Sequence, residues 1–256
     1  MLLTVEGLTK NFGGITAIHN LSFTIQEGEI LGLIGPNGAG KTTLFNLISG
    51  AFKPTRGAIR IHSREITGLK PHVVAAAGIA RTFQLTRIYH NVPVLDHVIM
   101  GQHCRTRTFL PGALLRNRSA REEDARSREK ALEILKDLDL YTVRDEYAGN
   151  IYNAQQRRLM IATALASEPS LLLLDEPTAG MSHEETEQVV QMIEAIRRKG
   201  VTVFIIEHNM KVAMEISDRI IALNYGEKLA EGLPADIAQN KAVIDAYLGE
   251  EEGAYS

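Results

Sequence analysis

The chain has 256 residues, 45% hydrophobic and 23% charged, with a net charge of −3. That length supports a sizeable core in one large domain or one with an inserted subdomain, and the charge excludes a global basic field that would gather nucleic acid. The single cysteine, Cys104, excludes an internal disulfide and fits a reducing cytosolic setting; the first residues do not read as a signal peptide, and no apolar run approaches the roughly 20 residues that cross a bilayer, so any membrane role runs through a partner.

Short strand-like runs open the chain. Residues 21–25 alternate apolar and polar side chains, Glu27 and Gly28 make a turn, and residues 30–34 form a continuous apolar run that reads as a buried strand of a parallel sheet. A helix is expected from Lys41 and another strand over 58–61. From about Ile88 to Leu165 strand signals disappear; Ala131, Leu132, Leu135 and Leu138 recur at helical spacing within 125–140. A further helix is expected over 155–166, followed by a turn at Glu168, Pro169 and Ser170. Strand and helix then alternate: strand 171–174, helix 183–198, strand 201–206, a helix after His208, and strand 219–223. The expected fold class is α/β: a core with a parallel sheet, N-terminal antiparallel strands and an inserted α-helical subdomain. Residues 1–87 and 166–256 would form the α/β core, and 88–165 the subdomain. Arg105, Arg107, Arg116, Arg118 and Arg121 make a locally basic stretch, either a solvated loop and helix start or a contact with an acidic partner surface or lipid headgroups.

The strongest motif is GPNGAGKTT over 35–43, which fits G-x-x-x-x-G-K-[ST] after one strand and at a helix start. Gly35, Gly38 and Gly40 let the backbone turn so that the N–H groups of the loop can face phosphate oxygens; the loop runs Gly35, Pro36 (which has no N–H of its own), Asn37, Gly38, Ala39, Gly40, Lys41, Thr42 and Thr43. The helix N-terminus adds partial positive charge, Lys41 can reach the β/γ-phosphates, and the Thr42 hydroxyl can hold Mg²⁺. A nucleotide with Mg²⁺ is the ligand this loop points to, so the α/β core, residues 1–87 and 166–256, reads as a nucleotide-binding P-loop NTPase core. The run LLLLDE then delivers Asp175 and Glu176 to the C-terminal edge of a buried strand, where α/β proteins bind ligands. Asp175 would orient the Mg²⁺, and Glu176 would polarise an attacking water as general base.

At this point the sequence resembles the ATP-binding subunits of ABC transporters, and the resemblance covers essentially the whole chain. It implies that Phe12, in TKNFGG, stacks on adenine. Gln84, in RTFQ, would contact Mg²⁺ and water and sense a membrane subunit, and His208, in IIEHNM, would contact the γ-phosphate. Taken singly, Phe12 also reads as core, Gln84 as a loop amide and His208 as a polar residue at a helix start; their joint order carries the resemblance. The arginine-bearing insertion after Gly101, the strings AGN…QQRR and AGM, and VIDAYLGE near residue 245 look like the larger ATPase subunit of branched-chain (hydrophobic) amino-acid importers, whose relatives include urea and short-amide importers.

The resemblance implies partners: polytopic membrane permease subunits, a second ATPase subunit (a heterodimer favoured over a homodimer), and, indirectly, a periplasmic or extracellular solute-binding protein. Its location would be peripheral, on the cytoplasmic face of the cell membrane. A soluble ABC protein of translation or DNA repair is a competing class, though those usually carry two cassettes or long coiled-coil insertions. A small-molecule kinase is another, against which Glu176 and His208 argue. One departure from the family stands out. Where it has Leu-Ser-Gly-Gly-Gln, a turn that meets the γ-phosphate held by the opposite subunit, this chain has Ile151, Tyr152, Asn153 and Ala154 before Gln155. Ala154 would be strained there if its φ were positive. Ser182 stands in place of the usual aspartate or asparagine of the dimer-crossing loop.

Overall fold

The structure, a computed structural model, describes the backbone of residues 1–82, 88–102 and 118–253, and their side chains outside 118–121 and 248–253. Gln84, Cys104 and the arginines between 105 and 117 lie outside the described residues, as do the side chains of Arg118 and Arg121.

The chain divides into two compact units. The first comprises Met1–Ile79 and Ser170–Ser256, the second Ala80–Pro169. The sequence reading places these cuts at 87/88 and 165/166. The observed ones follow from local hydrogen bonding: the Ser170 and Leu171 N–H groups both donate to the Gly78 carbonyl, at 2.9 and 3.0 Å. That pair ties both chain crossings to the first unit.

The first unit carries two sheets. β1 (Leu3–Phe12), β2 (Ile15–Ile25), β4 (Arg56–Ile61) and β5 (Arg64–Glu65) form an antiparallel sheet in the order β2-β1-β4-β5. The period-two pattern of 21–25 is explained by burial of Leu21, Phe23 and Ile25 on one face. The second sheet has the order β10-β9-β3-β8-β7-β6. Its strands are β3 (Ile30–Ile34), β6 (Ile79–Arg81), β7 (Leu171–Asp175), β8 (Thr202–Ile206), β9 (Arg219–Asn224) and β10 (Glu227–Gly232). β6 is the strand on which the chain passes from the first unit to the second. β3 pairs in parallel with both β8 and β9, and β7 pairs in parallel with β8. β3 and β8 are buried along their whole length, which accounts for their unbroken apolar runs.

Helix α1 (Lys41–Ile48) buries Leu44, Phe45, Leu47 and Ile48. Phe45 meets Phe204 of β8 with ring centroids 5.0 Å apart, and Phe204 meets Phe23 at 5.6 Å. This aromatic group sits in the core under the nucleotide-facing loop. α2 (Pro71–Ala76) is a short helix begun by its proline.

The second unit is helical: α3 (Val94–Gly101), α4 (Arg118–Asp137), a 3₁₀ turn at Tyr141–Val143, and α5 (Asn153–Leu165). Among the described residues no strand lies between 88 and 165 beyond an isolated Pro93–Tyr147 bridge. The apolar stripe of α4 is real, with Ala131 and Leu135 fully buried and Leu138 nearly so. Helix α4 stops at Asp137, before the expected 140, because Asp139 takes φ 56° and Leu140 N–H turns back to the Leu135 carbonyl. In the first unit, α6 (His183–Arg198), α7 (Met210–Ile216), α8 (Pro234–Ala238) and α9 (Lys241–Gly253) complete the chain.

Candidate nucleotide-binding site

Parallel register brings three loops to one sheet edge. Leu33 of β3 and Asp175 of β7 both pair with Ile206 of β8, so the three residues lie in one row. Just past that row stand the loop that begins at Gly35, then Glu176, then Glu207 and His208. Ligands of open parallel sheets gather at such C-terminal edges.

The loop itself is built to present N–H groups. Gly38 has φ 76°, and a Cβ added there would meet nothing within 4 Å. Gly40 has φ 103° and opens α1 without any side-chain cap, so the first-turn N–H groups of the helix are left to face the loop. Lys41 is buried, and its ammonium donates to the Gly35 carbonyl and, at 2.9 Å, to the Pro36 carbonyl. A buried cation of this kind keeps its charge by trading water for oxygens, and phosphate oxygens are of the same chemistry. Asn37 and Thr42 are exposed. The loop is braced from far along the chain. Gly35 N–H donates to the Tyr247 hydroxyl of α9 at 2.7 Å, and Gly226 N–H, from the β9–β10 turn, donates to the Ala39 carbonyl at 2.9 Å.

Asp175 ends β7 half-buried, and Glu176 follows it exposed, with φ 49°. A left-handed glutamate costs on the order of 1–2 kcal/mol, and such strain gathers where a side chain must be aimed. Two backbone bonds hold it: Glu176 N–H to the Ile206 carbonyl at 2.9 Å, and Ala179 N–H to the Glu176 carbonyl at 3.3 Å. His208 is exposed, one residue before Asn209, which caps α7 by accepting from Lys211 and Val212 N–H. Between them lies a group the sequence reading missed. Glu207 is 2% exposed, and its carboxylate accepts from both the N–H and the hydroxyl of Thr178, at 3.2 and 2.9 Å. Burial pushes its pKa up, the charge of Glu176 adds to that, and the Thr178 bonds oppose it.

Phe12 ends β1 and is 43% exposed, so it is not a core residue. It meets Phe52 edge-on at 5.4 Å, with the Lys10 ammonium 4.8 Å from its ring centre. The donor set for a metal is sparse: among the described residues no three His, Cys, Asp or Glu side chains cluster. A hydroxyl (Thr42) and one carboxylate (Asp175) nonetheless suit Mg²⁺, a hard cation that keeps waters and leans on phosphate oxygens.

Residues 18–179 match the family model for ABC transporters, and residues 227–253 match that for a branched-chain amino acid ATP-binding cassette transporter. The high-affinity branched-chain amino acid transport ATP-binding protein LivG of Salmonella typhimurium is 40% identical over 250 residues, 97% of this chain and 98% of its own. The chain belongs to the ABC transporter ATP-binding family. Among solved structures, the cassette superimposes on the ADP conformation of MJ1267, an ATP-binding cassette of an ABC transporter. That match has TM-score 0.84 and 28% identity, over 97% of this chain and 98% of that one. The dimeric post-hydrolysis state of the cassette MJ0796, bound to ADP and Pi, matches at TM-score 0.76 and 27% identity, over 91% and 99%.

In the second unit of the cassette, the departing turn differs from expectation. Helix α5 begins at Asn153, two residues earlier than the sequence reading, with Tyr152 as its N-cap at φ −64° and ψ 155°. Gln155 explains the early start: its side chain accepts from Tyr152 N–H at 3.1 Å. Ala154 therefore occupies a helical position rather than a positive-φ one, and the strain considered for it is absent. Tyr152 is 81% exposed and gives the helix no side-chain cap. Ser182, by contrast, caps α6 in a reciprocal pair with Glu185, at 2.8 and 3.3 Å. The cassette thus keeps a helix N-terminus at the turn but loses the serine hydroxyl at its cap.

Proposed function

We propose that the cassette hydrolyses ATP to drive uptake of a branched-chain or other hydrophobic amino acid through membrane permease subunits, from the cytoplasmic face of the membrane. The observation that carries this reading is the single row of Leu33, Ile206 and Asp175, beyond which the phosphate loop, Glu176 and His208 emerge together. The solute follows from the relatives' names and from the match of residues 227–253. No helix among the described residues is long and apolar enough to cross a membrane, and in this reading that task falls to the permease subunits.

In this reading the loop from Gly35 to Thr43 and the α1 N-terminus bind the phosphates, Lys41 turns its ammonium to the β/γ oxygens, and Phe12 stacks on adenine. Glu176 takes a proton from the attacking water as the bond to the γ-phosphorus forms, and ADP leaves. His208 donates to a γ-phosphate oxygen. Thr42 and Asp175, with Gln84 as the sequence reading has it, would hold Mg²⁺, which when bound neutralises phosphate charge. The helical unit would meet the permease.

The composite arrangement implied by the family sets a second ATPase subunit's signature turn against this chain's phosphate loop. This chain's turn lacks the serine, so a heterodimer with one fully equipped site is favoured over a homodimer. The test is a pair of substitutions. Lys41→Ala should weaken ATP binding at least about tenfold, while Glu176→Gln keeps affinity and stops turnover. Unchanged affinity in the first, or unchanged turnover in the second, removes that residue from its role.

A further inference from the structure

We propose that Glu207 is a positioning residue for hydrolysis: its buried carboxylate clamps Thr178 and so fixes the segment that aims Glu176. This rests on Glu176 acting as the base. Three observations carry it. Glu207 is 2% exposed and Thr178 6% exposed, so their bonds are shielded from competing water. One carboxylate oxygen receives both the Thr178 N–H and its hydroxyl, at 3.2 and 2.9 Å, fixing the backbone and the side chain of that residue together. Thr178 lies two residues beyond Glu176, whose φ of 49° a free chain would not choose.

The segment is thereby held from both ends. Glu176 N–H is bonded to the Ile206 carbonyl at 2.9 Å, and Thr178 is bonded to the very next residue of that strand's exit, Glu207. Pro177, buried between them, stiffens the link. The clamp joins the chain after Glu176 to the chain that carries His208, so the two groups would share one rigid support. A buried carboxylate is costly to keep for packing alone, which an apolar side chain would serve as well. Holding an unusual backbone angle next to a reacting group gives it a role that packing does not.

Glu207→Leu removes the acceptor with little change of volume, and Glu207→Gln keeps an acceptor oxygen. In the reconstituted transporter, Glu207→Leu should lower kcat at least about tenfold, with KM for ATP within about threefold of the parent; misplacing a reacting group by ~1 Å costs on the order of 10²-fold. Glu207→Gln should recover kcat to within about threefold of the parent. Amide exchange on the purified chain gives a second readout: protection of the Thr178 N–H should fall in Glu207→Leu and survive in Glu207→Gln. Should Glu207→Leu fail to fold, Thr178→Val, which replaces only the hydroxyl by a methyl group, should lower kcat with KM unchanged, and an unchanged kcat there would overturn the inference. The inference is overturned if Glu207→Leu keeps kcat, if Glu207→Gln is no better than Glu207→Leu, or if Thr178 protection is the same in all three. Hydrolysis that survives Glu176→Gln would instead remove the base assignment, and the exchange experiment would still report on the clamp.

Discussion

Two glycines of the phosphate loop share a left-handed backbone but not a neighbourhood, and the difference sets a measurable gap in stability. An alanine at Gly38 would have to keep φ 76° yet would touch nothing within 4 Å. Its cost is the backbone preference alone, on the order of 1–2 kcal/mol. An alanine at Gly40 would keep φ 103° and in addition push its Cβ to 2.6 Å from the Ala17 carbonyl and 2.9 Å from Ile18 Cδ1. The isoleucine tip can turn, but the carbonyl is backbone. Gly226 crowds the same oxygen, near enough that a Cβ there would stand 2.7 Å from it. Overpacking of this kind adds about 1–3 kcal/mol, so Gly40→Ala should cost roughly 2–5 kcal/mol against 1–2 for Gly38→Ala. In thermal melts without nucleotide, at ~2–4 °C per kcal/mol for a chain of this size, Gly40→Ala should melt several degrees below Gly38→Ala. Equal melting temperatures, or the reverse order, would refute the idea that the Ala17 carbonyl limits the loop.

Restoring the signature turn by Tyr152→Ser with Ala154→Gly should raise ATPase activity of the cassette alone at least about tenfold and do much less beside a partner with an intact turn, since a preorganised phosphate donor is worth on the order of 10²-fold. No gain in steady-state phosphate release by the lone chain would show that the turn is not the limiting defect. The raised pKa of Glu207 makes a separate prediction about stability. Its carboxyl holds a proton more tightly folded than unfolded, so as pH climbs from the ordinary 4.5 to the raised value the unfolded chain ionises first and folding loses stability. The Glu207→Gln variant, which has no proton to lose, should therefore gain in melting temperature over the parent across that window and hold the gain above it; a pH-independent difference would contradict it.

The sequence exposes what short range dictates. The apolar runs of β3, β7 and β8 and the period-two face of β2 match the structure, because burial on two faces or one writes itself into consecutive residues. The phosphate loop is legible for the same reason: strand, glycines, lysine and helix start lie within a dozen positions. Long-range partners are not. Nothing near Tyr247 marks it as the acceptor for an N–H 212 residues away, and Gly226 reads as an ordinary hairpin turn. Glu207 has a faint signal, a charged residue ending a buried run just before His208, but its meaning depends on Thr178, in the loop that follows β7. The start of α5 at Asn153 rather than at 155 is set by the Gln155 side chain, which closes the helix back onto Tyr152 N–H, a bond that the residue types alone do not announce.

The distant bracing of the phosphate loop also has a consequence for how the protein comes into being. β3 is complete by Ile34, yet its neighbours β8 and β9 do not begin until Thr202 and Arg219. During synthesis, at ~5–20 residues per second, the strand that carries the loop must wait on the order of ten seconds or more for the strands that flank it. The antiparallel pairs among residues 3–65 need no such delay, since their partners are close in sequence. A ribosome-bound chain should thus expose an unpaired, wholly apolar β3 for most of its elongation, which makes that strand a natural client segment for chaperones. Nucleotide should be unable to stabilise the nascent chain until the last helix, with Tyr247, has emerged.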